Sequence, residues 1–314
     1  MPEPADVVLS AQNLTKRFGR REAVADVSFD VRAGEVFGFL GPNGAGKTTT
    51  IRMLVGLARP DQGTIRIRGL DLATHFEEAL SHVGCIVESP DLYRYLTGRE
   101  NLLHFARMLG AGAAGRIGDL AALVSLSERL DDKVSTYSLG MRQRLGIAQA
   151  LLGNPDVLIL DEPANGLDPA GIREIRHLVR SLARERGMSV FVSSHLLSEI
   201  ELMCDRVAIV HRGRTLAAAP VAELLARVSS DRLLVRALPA AAAAEVIARF
   251  GAVEPGDGDD REEPAPEVVA RVPPERVPDL LRALVAAGVD VHTIERPEAS
   301  LEEIFLEITG SQTV

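Results

Sequence analysis

Residues 36–54 read VFGFLGPNGAGKTTTIRML, and the change of character along this stretch decides the fold. Val36 to Leu40 suit a buried strand, a glycine-rich turn follows, and from Lys47 the pattern becomes helical. The turn runs Gly41, Pro42, Asn43, Gly44, Ala45, Gly46, Lys47, Thr48, Thr49 and fulfils G-x-x-x-x-G-K-[ST] in the strand–loop–helix context the motif requires. Gly41, Gly44 and Gly46 allow successive backbone N–H groups to face one anion, and the helix start adds its partial positive charge. Lys47 can reach the outer phosphates, and the Thr48 hydroxyl can serve Mg²⁺. The plain alternative is a glycine-rich turn with no ligand; strand, motif and helix together argue against it.

Around this loop, strands and helices alternate. Strands are predicted in residues 6–40, 64–69, 156–160 and 188–194, with helices after Lys47, from Pro169 to Arg184 and over LLSEIELM. Alternation of this kind implies a mostly parallel sheet flanked by helices. Between residues 89 and 150 the pattern is helical, as in NLLHFARML and GDLAALVSL, and predicts an inserted helical subdomain.

Hydrolysis needs more than a cradle. DVLILDEP supplies an apolar strand ending in Asp161, suited to the Mg²⁺ shell. Glu162 comes next, on the opposite side of an extended chain, and is the candidate general base. A second anion-capable stretch, YSLGMRQRLGIAQAL (137–151), places Ser138 and Gly140 at the head of a helix. Simple helix capping by Ser138 is the other reading and is compatible with an anion contact.

Composition narrows the classes. The chain has 314 residues, 46% hydrophobic and 25% charged, with a net charge of −9. Residues 231–314 carry 17 acids and 8 arginines, so all the excess negative charge lies there. The shift predicts an ATP-site domain over 1–230 and a small α+β domain over 231–314. The latter reads βαββαβ plus a final helix, a split-βαβ arrangement. In it, Pro239 is expected at a helix's first position and the acidic turn DGDDREEP as a solvated loop, while Ser300 and Glu303 form a capping box. No broad basic face is available for nucleic acid. No run approaches the roughly 18–20 apolar residues of a membrane span, and the N-terminus has acids where a secretion signal has bases. The expectation is a cytosolic protein. Cys85 and Cys204 read as small buried hydrophobes.

The ordered set GPNGAGKTT, YSLGMRQR, DVLILDEP, NGLDP and the Ser-Ser-His of VSSHLLSEIE resembles the nucleotide-binding subunits of ABC transporters over residues 6–225. The resemblance implies a P-loop ATPase fold, ATP and Mg²⁺ as cofactors, and a head-to-tail dimer in which Ser138 and Gly140 meet the γ-phosphate held by the other subunit. By the same resemblance, Phe18 stacks on adenine (the alternative being a core Phe), Asp168 lies at the dimer interface, and His195 contacts the γ-phosphate and orients water. An integral-membrane permease would be the other partner, met near Glu88 and residues 92–109, which include Tyr93 and Tyr95. The subunit would sit on the cytoplasmic face of the membrane.

Two positions depart from the family pattern. The signature has Leu139 and Met141 where Gly and Gln are usual. The loop after VGCIV has Glu88 where Gln is usual, giving a carboxylate able to ligate Mg²⁺ and act at the reaction centre. This combination, with the tail SLEEIFLEITG, resembles the bacitracin-type branch of drug and antimicrobial-peptide exporters. A soluble ABC ATPase acting on ribosome or DNA and an import subunit are the competing readings. One phosphate loop, no long coiled coil and an acidic balance disfavour the first.

Overall fold

The computed structural model describes residues 6–110, 112–228, 232–254, 267–296 and 300–310. Strands β1 (Val7–Phe18) and β2 (Arg21–Arg32) pair antiparallel. Next come β3 (Val36–Leu40), α1 (Lys47–Leu54), β4 (Gln62–Ile67) and β5 (Leu70–Asp71). Strands β1, β2, β4 and β5 form an antiparallel sheet in the order β2-β1-β4-β5.

After α2 (Phe76–Ser81) and β6 (Val83–Ile86), the chain turns helical with α3 (Gly98–Leu109), α4 (Ile117–Leu123) and α5 (Leu139–Ala150). It then alternates through β7 (Val157–Asp161), α6 (Pro169–Arg186), β8 (Ser189–Ser194), α7 (Leu197–Met203), β9 (Arg206–His211), β10 (Arg214–Pro220) and α8 (Val221–Val228). A second sheet has the order β10-β9-β3-β8-β7-β6 and is parallel except for β10. Every residue of β3, β7 and β8 is buried, which is why these strands read as continuous apolar runs.

Four phenylalanines hold the middle. Phe29 of β2 packs on Phe37 and Phe39 of β3 and on Phe191 of β8, with ring centroids 5.2 to 5.5 Å apart, and Phe191 touches both β3 rings. The register sets Leu40 beside Ser194 and Asp161 beside Ser193, so β3, β7 and β8 end along one edge. Ligands of open parallel sheets gather at such an edge.

By contacts the chain separates into two units, Met1–Val221 and Ala222–Val314. The charge shift at Ser230 and this boundary bracket α8. The second unit contains β11 (Arg232–Leu238), α9 (Ala240–Ile247), β12 (Ala252–Glu254), β13 (Glu267–Arg271), α10 (Val277–Ala286), β14 (Asp290–Glu295) and α11 (Leu301–Gly310). Its sheet is antiparallel, in the order β12-β13-β11-β14. Leu233, Val235 and Ala237 share a core with Val246, Ile247, Leu280 and Leu284. Glu303 N–H donates to Ser300 Oγ at 3.2 Å, and Ser300 N–H donates back to Glu303 Oε2 at 3.4 Å, the reciprocal capping box.

Three details differ from the sequence reading. Pro239 is the N-cap of α9, not its first residue, with φ −71 and ψ 138, extended rather than helical. Cys204 is buried, but Cys85 is exposed: β6 is an edge strand, and alternation turns that side chain outward. Burial pushes the Cys204 thiol up in pKa. The acidic turn DGDDREEP lies outside the described residues.

Candidate functional site

Gly44 and Gly46 adopt φ of 81° and 104°, left-handed values that suit glycine. A Cβ on Gly41 would stand 2.2 Å from Val210 O, and one on Gly46 would stand 2.6 Å from Ala23 O, so the loop is packed where its backbone bends. The turn between β9 and β10 tethers it, with Gly213 N–H donating to Ala45 O at 2.9 Å. Gly46 is the N-cap of α1 and no side chain caps it, which suits an anion at the helix start. Lys47 is 6% exposed and donates from Nζ to Gly41 O at 2.7 Å and to Pro42 O at 3.4 Å.

One of the two acids, Glu162, meets this loop, while Asp161 is buried at the end of β7. Glu162 Oε1 lies 3.1 Å from Lys47 Nζ, and Glu162 Oε2 lies 2.5 Å from His195 Nδ1. The expected extended geometry at Glu162 is not what forms. Strand β7 ends at Asp161, and Glu162 takes φ 51° at the head of a turn closed by Asn165 N–H to Glu162 O at 3.0 Å. Left-handed backbone on a non-glycine residue at the end of a buried strand is the strained geometry that concentrates at functional sites. Ser193, fully buried on β8, organises both acids. Its hydroxyl donates to Asp161 Oδ1 at 2.5 Å and accepts from Glu162 N–H at 3.0 Å.

Lys47, Glu162 and His195 face a cavity of about 650 Å³ whose lining also includes Phe18, Thr48 and Thr49, together with Asn43, Gly44 and Gly46; Asp161 and Ser193 lie buried behind it. Phe18 is 56% exposed, so it is not a core residue, and Lys16 Nζ lies over its ring, 5.8 Å from the centroid. Asp61 fixes the strand end that carries it. One carboxylate oxygen accepts from Arg17 N–H at 2.7 Å and the other from Lys16 Nζ at 2.9 Å. Those two contacts, the backbone bond first, hold the Asp61 carboxyl below its usual pKa.

The signature stretch stands apart from that lining. Ser138 caps α5, its Oγ accepting from Met141 N–H at 3.2 Å. Tyr137 is buried and donates to Arg129 O at 2.5 Å, pinning the stretch to the helical segment. Burial raises the Tyr137 phenol's pKa. A Cβ on Gly140 would meet only Leu167 Cδ2, at an ordinary 3.8 Å, so packing inside this chain makes little demand for glycine there. Asp168 caps α6, accepting from Gly171 N–H at 2.8 Å. Glu88 does not line the phosphate-loop cavity. It borders a neighbouring hollow of about 410 Å³ with Leu139, Arg142, Glu162 and Asn165, and its Oε1 pairs with Arg52 Nη2 at 2.5 Å.

Arg21, Ser193 and Asn165 belong to the site but were not foreseen. Arg21 and Asn165 line the nucleotide-sized cavity. Their signals were weak: Arg21 is one of several surface arginines, and Ser193 looks like any small strand residue until the parallel register sets it beside Asp161. A hollow of about 660 Å³ lined by Arg144, Glu174 and Arg184 includes none of the predicted residues.

Comparison with known proteins identifies the family. The family model described as "ABC transporter" matches residues 24–165. The "Uncharacterized ABC transporter ATP-binding protein YhcH" of Bacillus subtilis is 46% identical over 96% of this chain and 96% of its own length. The "Bacitracin transport ATP-binding protein BcrA" of Bacillus licheniformis is 39% identical over 98% of this chain and 99% of its own. A solved structure described as "Structure of ATP binding subunit of ABC transporter" superposes with a TM-score of 0.62 and 32% identity, covering 70% of this chain and 92% of that one. With its phosphate loop, paired acids and near full-length relatives, the chain belongs to the ATP-binding subunits of ABC transporters, and its chemistry is ATP hydrolysis.

Proposed function

We propose that this chain powers an exporter of drugs, antibiotics or antimicrobial peptides, working as a pair of copies on the cytoplasmic face of a membrane permease. The observation that carries the reading is the convergence of Lys47, Glu162 and His195 on one cavity, with Ser138 and Gly140 outside that cavity's lining. Within one chain the phosphate loop has a base and a histidine but no signature. A second copy packed head to tail supplies it.

The residues fit ATP with Mg²⁺. The cavity is of ligand size, and two glycines of its cradle, Gly41 and Gly46, sit where a Cβ would collide with backbone. Mg²⁺ is commonly held by one or two carboxylates plus substrate phosphates; Asp161 and the Thr48 hydroxyl are this chain's contribution. When bound, the metal offsets phosphate charge. Phe18 stacks on adenine, and Lys47 and the loop N–H groups hold the phosphates. Glu162 takes a proton from the attacking water, and His195 orients the acid and the γ-phosphate. Asp168 borders the partner copy. Glu88 is proposed as a further contact to metal and water from the neighbouring loop.

Export is supported by the relatives. The near full-length match to a bacitracin transport protein spans the C-terminal unit as well, and a further relative, 35% identical over 96% of this chain, is described as "Nod factor export ATP-binding protein I" of Burkholderia lata. Among the described residues no helix is long and apolar enough to cross a membrane. Tyr95, Met108 and Leu109 are exposed, Tyr93 partly so, and Tyr93 packs on Tyr95 and His104. An exposed apolar cluster of this kind suits docking to a protein partner.

The experiment is co-expression with the membrane protein encoded beside this gene in an antibiotic-sensitive host. Export predicts raised resistance to a membrane-active peptide such as bacitracin, abolished by Glu162→Gln. ATPase activity unaffected by any membrane partner, with ribosome-stimulated turnover instead, would overturn the reading.

A further inference from the structure

Glu88 adds a negative charge beside a site built for a polyanion, and the same chain supplies a cation that meets it. Arg52 lies on α1, four residues beyond Thr48 and therefore on the same helix face, one turn along. Its Nη2 is 2.5 Å from Glu88 Oε1. The backbone presents Glu88 deliberately: φ is 66°, and Ser89 N–H donates to Val87 O at 2.9 Å, closing a three-residue turn around it. Such turns are rare and strained. The hollow that Glu88 borders is also lined by Glu162, so two carboxylates border one space, and Glu162 lines the phosphate-loop cavity as well.

We propose that Arg52 is a positioning residue for nucleotide binding: it seats the Glu88 carboxylate and cancels its charge at the edge of the phosphate site. The proposal rests on the reading that the Glu88 loop borders bound nucleotide. Like charges repel across a shared hollow, and an uncompensated Glu88 opposes a triphosphate approaching Lys47. The pair is half exposed, at 49% and 61%, so its contribution is modest and screened by salt.

The test is a mutant cycle on the full chain, reading binding of a fluorescent ATP analogue in chelator at low salt. Arg52→Gln weakens binding by about two- to fivefold, and Arg52→Lys retains most of it. Arg52→Gln on a Glu88→Gln background weakens binding clearly less than on the wild-type background, because the carboxylate it seats is gone and only the screened charge of Arg52 itself is lost. The Arg52→Gln defect also shrinks in about 0.5 M salt, where screening acts within about 4 Å. A purely structural role for Arg52 gives the same loss with or without Glu88. Loss of that size in both backgrounds, or no loss in either, overturns the proposal. Because the assay contains no Mg²⁺ and reads no turnover, its failure leaves the hydrolytic assignment standing. Failure of the wild-type chain to bind the analogue would instead remove the nucleotide site itself.

Discussion

His195 Nδ1 stands 2.5 Å from Glu162 Oε2, joining the loop after β8 to the turn after β7. The other carboxylate oxygen meets Lys47 Nζ at 3.1 Å, so one acid links the histidine to the phosphate loop. Adjacent parallel strands bring the two residues near each other, because β7 and β8 end side by side. Glu162→Gln keeps the shape and the hydrogen-bonding reach but loses the basicity. ATP binding persists and hydrolysis falls by about 10²- to 10⁴-fold, the usual worth of a general base. Single-turnover phosphate release checks it; undiminished turnover removes Glu162 from the role.

Ser193 is the residue on which both acids lean. Ser193→Ala takes the hydroxyl from Asp161 and leaves Glu162 N–H with only Ser193 O, at 3.2 Å. The expected cost is about 1–3 kcal/mol of stability, from disturbing buried polar groups. Hydrolysis falls more than nucleotide affinity, and the Mg²⁺ requirement rises. Denaturant melts and an Mg²⁺ titration separate these effects. An unchanged Mg²⁺ titration means that Asp161 needs no such support.

Asp61 gives a pH-dependent handle on the strand end that carries Phe18. Its carboxyl is held below the usual value by Arg17 N–H and Lys16. A depressed folded pKa contributes stability above the unfolded value and loses it as pH falls through the folded one. Asp61→Asn is therefore less stable than wild type at neutral pH, and the gap closes below about pH 4. Thermal melts across that range check the sign; a gap constant with pH means the carboxylate charge is irrelevant there. The same substitution loosens the end of β1 and weakens adenine stacking on Phe18. Direct loss of the ring, Phe18→Ala, costs about 1–3 kcal/mol of binding.

The phenylalanine cluster carries the sheet-to-sheet packing. Phe191 is fully buried and touches three other rings. Phe191→Ala costs about 3–5 kcal/mol, read as a lower denaturant midpoint. A change under about 1 kcal/mol would mean that the core relaxes around the gap, as the most tolerant sites do.

Much of this was legible in the sequence because strong local patterns coincide with the site. The apolar runs Val36–Leu40 and Val157–Asp161 read as buried strands, and the glycines between Leu40 and Lys47 mark their own sharp turns. What stayed hidden was set by tertiary register. Ser193 acquires its role only through its neighbour Asp161 on another strand, and the Arg52–Glu88 pair joins residues on separate elements. The left-handed backbone at Glu162 was hidden as well, because an Asp-Glu pair after an apolar run reads as the strand continuing. In the C-terminal unit the order of elements was readable from alternating pattern and turn residues, while the N-cap place of Pro239 depended on one backbone angle.

The central claim is that Ser138 completes a site begun by Lys47 on another copy. Light-scattering mass of the Glu162→Gln chain with ATP and Mg²⁺ tests it most directly, alongside the same chain carrying Ser138→Arg. The account predicts a two-chain mass for Glu162→Gln with ATP, a one-chain mass without ATP, and a one-chain mass for the double variant although it still binds nucleotide. A double variant that dimerises as readily as Glu162→Gln alone would contradict it.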